Sequence, residues 1–219
     1  MPNALLQFQQ MISDVNRLLE HHPNFEAALP GKPSNDEGPL LRSCVLLIYA
    51  AWEYYFEESL IEAAQELASN DLNMLPSETK KWVSGRPPTS KDAWNLAGEG
   101  WRSTLKGTVE VYARGIEKDP TSWGLNTVNS FAVETAHSTL FGIQVLSSIS
   151  WQRMSSSKVK KKLDDLVRLR GDIAHGKGTP SPLHLAHVRD WISFADKLAT
   201  NHDKLLFRWL GSLANGLAT

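Results

Sequence analysis

Apolar residues recur at helical spacing along most of this chain. Leu5, Phe8, Ile12, Val15, Leu18 and Leu19 predict a first helix over 3–20, closed by His21-His22-Pro23. The Pro- and Gly-rich stretch 30–39 reads as a loop. A long helix over 40–69 follows, apolar nearly all round in its first half and amphipathic in its second, a pattern that belongs in the middle of a bundle. From 70 to 128 the signal weakens. Turn residues such as Pro76, Gly85, Pro87-Pro88, Gly98, Gly107 and Gly115 break it, and only Ser77–Val83 and Ser90–Leu96 suggest short helices. Trp82, Trp94, Trp101 and Trp123 imply that this irregular, partly helical insertion packs down.

Regular helix returns with Val133, Ala136, Leu140 and Ile143. Ser155-Ser156-Ser157 then offers N-caps to a helix carrying Val159, Leu163, Leu166 and Val167 on one face. After a loop at 176–182, ended by Ser181-Pro182 as N-cap and first helical residue, two last helices are signalled. Val188, Trp191, Ile192, Ala195 and Leu198 mark one, and Leu205, Leu206, Trp209, Leu210 and Leu213 the other. No strand alternation competes and no repeat is visible, so the expectation is one all-α domain over 1–219.

Composition narrows the class. With 219 residues, 42% hydrophobic and 21% charged, the chain is long enough to bury one sizeable core. Its single cysteine, Cys44, excludes an intramolecular disulfide and fits a reducing compartment. The amphipathic N-terminus is unlike a signal peptide, and the longest apolar run, 44–52, is far short of the ~18 residues of a membrane span. A cytoplasmic protein without a membrane partner is expected. The net charge of -1 gives no global attraction to polyanions, but the charge is uneven. Between 158 and 170, Lys158, Lys160, Lys161, Lys162, Arg168 and Arg170 are set against only Asp164 and Asp165, with Lys177 and Arg189 beyond. Lysines in a first turn oppose the helix dipole; phosphate contact explains them, and so does a solvated lysine face.

Arg170 breaks the pattern most sharply. It falls seven residues after Leu163 and four after Leu166, on the apolar stripe that Ile173 and Ala174 continue. A guanidinium cannot shed its proton, so burying it requires a partner or a bound anion. His175 follows five residues later. Glu53, between Trp52 and Tyr54, is the other charge inside an apolar run, and the pairing it suggests is with Arg170; Glu57 is one turn on.

The run Leu169-Arg170-Gly171-Asp172-Ile173-Ala174-His175-Gly176 resembles the Arg-x(4 to 6)-His signature of the HEPN superfamily (higher eukaryotes and prokaryotes nucleotide-binding). Gly171 stands where the family usually carries Asn, Asp or His, which moves the polar role to Asp172. VLLIYAAWEYYFEESL, residues 45–60, is similar to the aromatic-rich, Glu-bearing helix of the prokaryotic toxin and defence branch, and 129–151 to its intervening segment. The resemblance covers roughly 40–68 and 125–215 and implies a HEPN-like helical bundle. It further implies a metal-independent endoribonuclease without cofactor, a homodimer acting on RNA and held in check by an antitoxin or other regulatory protein.

In that reading His175 moves protons between the 2′-hydroxyl and the leaving 5′-oxygen, and Arg170 neutralises the charge growing on the phosphoryl oxygens. Asp172 orients the imidazole, Arg168 is the alternate cation, Glu53 supports Arg170, and Lys158, Lys160, Lys161, Lys162 and Lys177 guide RNA. Helix geometry limits this, since positions 170 and 175 lie about 140° apart around a regular helix and about 7.5 Å along it. Either Gly171 loosens the turn or a second copy completes the site. Against catalysis stand a non-catalytic bundle binding a nucleotide or a protein and, as a third class, a purely structural helical protein with Arg170 buried away from any cleft. His184 and His187, one turn apart, are weak metal candidates with no cysteine to join them. His137 is expected in the core or at the surface. Eight tryptophans suggest base stacking, yet Trp191 and Trp209 fit core stripes.

Overall fold

The computed structural model describes residues 4–23, 25, 38–85, 98–116, 124–177 and 183–214. Among the described residues seven α-helices follow one another: α1 Ala4–Leu19, α2 Gly38–Leu67, α3 Ser77–Ser84, α4 Gly100–Arg114, α5 Ser130–Phe141, α6 Ser156–Ala174 and α7 Leu185–Ala214. Among the described residues there is no β-strand, and an isolated bridge joins Trp151 and Met154. The chain is all-α.

The core is built around α2. Its buried residues, from Leu41 and Cys44 through Trp52, Tyr55, Phe56 and Leu60 to Leu67, face every direction, and α1, α4, α6 and α7 pack against it. Such a helix gains its stability from neighbours rather than from an amphipathic face of its own. The α1 stripe of Ala4, Phe8, Ile12, Val15 and Leu19 is sealed against it.

Two expectations change. The weak stretch after residue 70 contributes a 15-residue helix, α4, which buries Trp101, Thr104, Leu105, Val109 and Ala113. Gly107 reads as a turn in the sequence but sits mid-helix with nothing within 4 Å of an added Cβ, so tertiary packing overrides its poor propensity. The suggested helix at 90–96 lies outside the described residues. The last two helices are one: α7 runs 30 residues without a break. His202, which interrupts the apolar pattern, is 0% exposed and takes a core position between Leu198 and Leu206. Its polarity is absorbed by hydrogen bonds instead of a turn.

Those bonds form a chain through the middle of the molecule. His137 Nδ1 meets the Val133 carbonyl (2.9 Å), its Nε2 meets His202 Nε2 (3.1 Å), and His202 Nδ1 meets the Tyr55 hydroxyl (2.8 Å). A carbonyl only accepts, so His137 carries its proton on Nδ1 and accepts at Nε2 from His202, whose Nδ1 shares the Tyr55 hydroxyl proton with the Ala199 carbonyl (3.1 Å). Burial pushes His137 down to about 4 and holds His202 well below its ordinary value, so both are neutral at pH 7. The pair ties α5 and α7 to α2.

Candidate active site

Helix α6 sets out the sequence motif. Ser155 takes the N-cap position in extended backbone, though its Oγ contacts Ser157 Oγ (3.0 Å) and caps no N–H. Val159, Leu163 and Leu166 are buried, and Arg170 continues their face half-buried. The helix stops just beyond the motif by a Schellman arrangement: Gly176 N–H donates to Ile173 O (3.2 Å) and Lys177 N–H to Asp172 O (3.0 Å). Gly176 has φ +65, a left-handed conformation that a side chain resists. His175 is thereby held as the C-cap residue, exposed, at the last turn.

Gly171 does not loosen this helix. Regular helix continues through Ala174, and His175 N–H donates to Gly171 O (3.0 Å). Arg170 and His175 therefore keep their divergence of about 140° within one chain.

Arg170 lies over Tyr49 of α2, its Cζ 5.0 Å from the ring centroid. The Tyr49 hydroxyl accepts from the Val128 N–H (3.0 Å) and donates to Glu53 Oε1 (3.1 Å). Glu53 and Arg170 thus meet around one phenol rather than head to head, and among the described residues no carboxylate comes within 4.0 Å of the guanidinium. The cation rests on a π-face with its N–H fork available. Burial pushes the Glu53 carboxyl up, while the Tyr49 hydroxyl and the Arg170 charge draw it part of the way back. One turn further, burial and the neighbouring Glu53 push Glu57 up to about 7 against the pull of Arg114. Tyr49 itself is pushed up to about 12, chiefly by burial, and stays a hydrogen-bond donor.

The other candidates distribute differently. Asp172 is half-buried on α6 and makes no hydrogen bond to the His175 imidazole; its carbonyl serves the Schellman stop. Arg168 is exposed and bound to Asp165 Oδ1 (2.7 Å). Lys160 pairs with Glu134 (2.8 Å) and Ser147 Oγ (2.8 Å), and Lys162 with Asp190 (2.5 Å) while lying 5.2 Å over both the Trp191 and Phe194 rings. These two lysines are explained by tertiary partners without invoking phosphate. Lys161 reaches only Asp165, at 3.7 Å, and Lys158 and Lys177 are exposed with no ion pair among the described residues. Arg189 donates to the Phe25 carbonyl (2.6 Å). His184 and His187 lie edge to face at 5.2 Å, and among the described residues no third ligand joins them. No described helix is long and apolar enough to cross a membrane.

Residues 125–207 match the family model described as RiboL-PSP-HEPN. This segment is similar to the HEPN superfamily. The HEPN match takes in α5, α6 and most of α7, with Arg170 and His175 inside it, and leaves α1 to α4 outside. Tyr49 and Glu53 thus lie on a helix beyond the matched HEPN segment but pack directly against its motif. No curated protein and no solved structure matches the chain. Sequence reasoning passes over Tyr49, whose only signal is its place four residues before Glu53, one helical turn away on the same face.

Proposed function

We propose that the chain is a metal-independent endoribonuclease that cuts RNA by attack of a 2′-hydroxyl on the adjacent phosphodiester, in the manner of a toxin or antiviral effector. The observation that carries this reading is the Arg170-to-His175 motif within the HEPN match, ending in a Schellman stop that holds the imidazole in solvent. An arginine fork with no carboxylate partner among the described residues suits the phosphoryl oxygens, and histidine suits proton transfer near neutral pH. The product is a 2′,3′-cyclic phosphate and a 5′-hydroxyl. DNA, lacking the nucleophile, is not cut.

The divergence of the two residues on one regular helix favours a site shared between two copies, the arginine of one facing the histidine of the other. The same divergence favours the second reading, a bundle that binds a nucleotide or a protein without catalysis. Lys158, Lys161 and Lys177 are the lysines left to guide RNA, and a regulatory protein remains part of the proposal.

The test is cleavage of end-labelled RNA by purified protein in EDTA, for wild type, His175→Ala and Arg170→Ala. Activity lost in both variants supports the reading. An equal mixture of the two variants distinguishes the architectures: a site shared in trans regains about a quarter of the wild-type rate, since half the dimers are mixed and each holds one intact site. Absence of wild-type cleavage on structured and unstructured RNAs sends the weight to the binding bundle.

A further inference from the structure

Cyclising an RNA phosphodiester moves two protons, one off the 2′-hydroxyl and one onto the departing 5′-oxygen. The motif supplies one imidazole, and the geometry keeps it away from the guanidinium of its own chain. The Tyr49 side chain that carries that guanidinium also holds a carboxylate. Glu53 is half-buried, one helical turn from Tyr49, and receives the Tyr49 hydroxyl at 3.1 Å. The same Tyr49 ring carries Arg170 at 5.0 Å, and the same hydroxyl is fixed from behind by Val128 N–H at 3.0 Å. The 2′-hydroxyl of an RNA adjoins the phosphate it attacks, so a base beside the phosphate-holding arginine is a base beside the nucleophile.

We propose that Glu53 is the general base of the reaction, with Tyr49 the residue that positions its carboxylate. The proposal rests on the endoribonuclease reading. In the balanced step the 2′-oxygen forms a bond to phosphorus as its proton passes to Glu53. The bond from phosphorus to the 5′-oxygen breaks, and the leaving oxygen takes a proton from the His175 imidazolium of the second copy. Arg170 holds the non-bridging oxygens throughout. Water later returns both groups to their starting protonation.

The surroundings make this carboxylate a stronger base than an exposed one. Burial raises Glu53, and the groups that face it are Tyr49 and Glu57 on its own helix and Arg170 on α6. On α4, Arg114 acts on Glu57 and pairs with Glu58. A purely structural Glu53 would steady Arg170 without entering the pH dependence of the rate.

That difference is the test. kcat and KM are measured against pH for wild type, Glu53→Gln, Glu53→Asp and Tyr49→Phe, with thermal melts as a folding control. Glu53→Gln is expected to lose on the order of 100-fold or more in kcat, with KM little changed, and to lose the ascending limb of the pH profile. Glu53→Asp keeps that limb at an intermediate rate. Tyr49→Phe keeps the ring under Arg170 but removes a hydrogen bond that favours the ionised carboxyl, so the limb moves to higher pH. An ascending limb retained in a folded Glu53→Gln, or a rate loss carried only by KM, overturns the proposal and leaves the nuclease reading standing. If Glu53→Gln does not fold, a limb unmoved in Tyr49→Phe overturns it. A wild type that cuts no RNA overturns the nuclease reading, and this proposal with it.

Discussion

Replacing Glu57 with Gln separates two pH dependences that oppose each other in the wild type. Burial and Glu53 hold the Glu57 carboxyl at about 7, where the unfolded chain has 4.5. The folded state binds that proton more tightly, so stability falls as pH rises from 4.5 to 7. Fully buried, such a difference disfavours the folded state by about 3 kcal/mol above pH 7; for a half-exposed group, screening reduces it to on the order of 1–2 kcal/mol. His137 runs the other way. Its folded value of about 4 lies below its ordinary 6.5, so the folded state binds the proton less tightly and stability is lost as pH falls from 6.5 towards 4, by about 3 kcal/mol.

Glutamine keeps the shape of Glu57 and cannot ionise. Urea denaturation of variant and wild type at pH 8, 6.5 and 5, extrapolated linearly to water, gives the difference at each pH and cancels the shared contributions of Glu62 and Asp203. The variant is expected to be more stable by on the order of 1–2 kcal/mol at pH 8, with the advantage fading towards pH 5. It is also expected to lose stability more steeply than wild type on acidification, because the His137 dependence is no longer offset. A difference that does not change with pH, or a variant no more stable than wild type at pH 8, refutes the assignment of a raised carboxyl at Glu57.

Two glycines of the motif should respond oppositely to alanine. Gly176→Ala meets a left-handed φ and is expected to cost about 1–2 kcal/mol, read as a lowered Tm, while Gly171→Ala, in regular helix with nothing within 4 Å of its Cβ, should gain about 0.5–1 kcal/mol. Gly124→Ala would place a Cβ 2.5 Å from the Ala113 carbonyl oxygen, so the segment leading to Val128 must shift; a loss of about 1–3 kcal/mol in urea denaturation is expected. Lys158→Ala and Lys160→Ala should divide between binding and folding. The first lowers the salt dependence of RNA affinity with Tm unchanged, and the second lowers Tm because Glu134, whose Oε2 is already buried without a hydrogen bond, loses its cation.

Periodicity alone determined the class and most of the helices of this protein. The stripes of α1, α5 and α6 lie in the sequence because a surface helix buries one face, and the all-round apolar run of α2 because a central helix buries every face. The motif was legible for the same reason: Arg170 is a permanent charge on a buried stripe, and His-Gly is a helix stop written in residues. What the sequence left open were contacts between residues distant along it. Helix α4 was hidden by glycines whose poor propensity is outweighed by packing on α2, and α7 was divided at His202 because the partners of that ring, His137 and Tyr55, lie 65 and 147 residues away. Only the tertiary structure brought Tyr49 under Arg170 and Val128 N–H to its hydroxyl, since contacts between distant segments leave no periodic trace; the bond to Glu53 lies within α2 at i, i+4 spacing. It likewise assigned Lys160 and Lys162 to Glu134 and Asp190, partners that a count of charges on one helix cannot see.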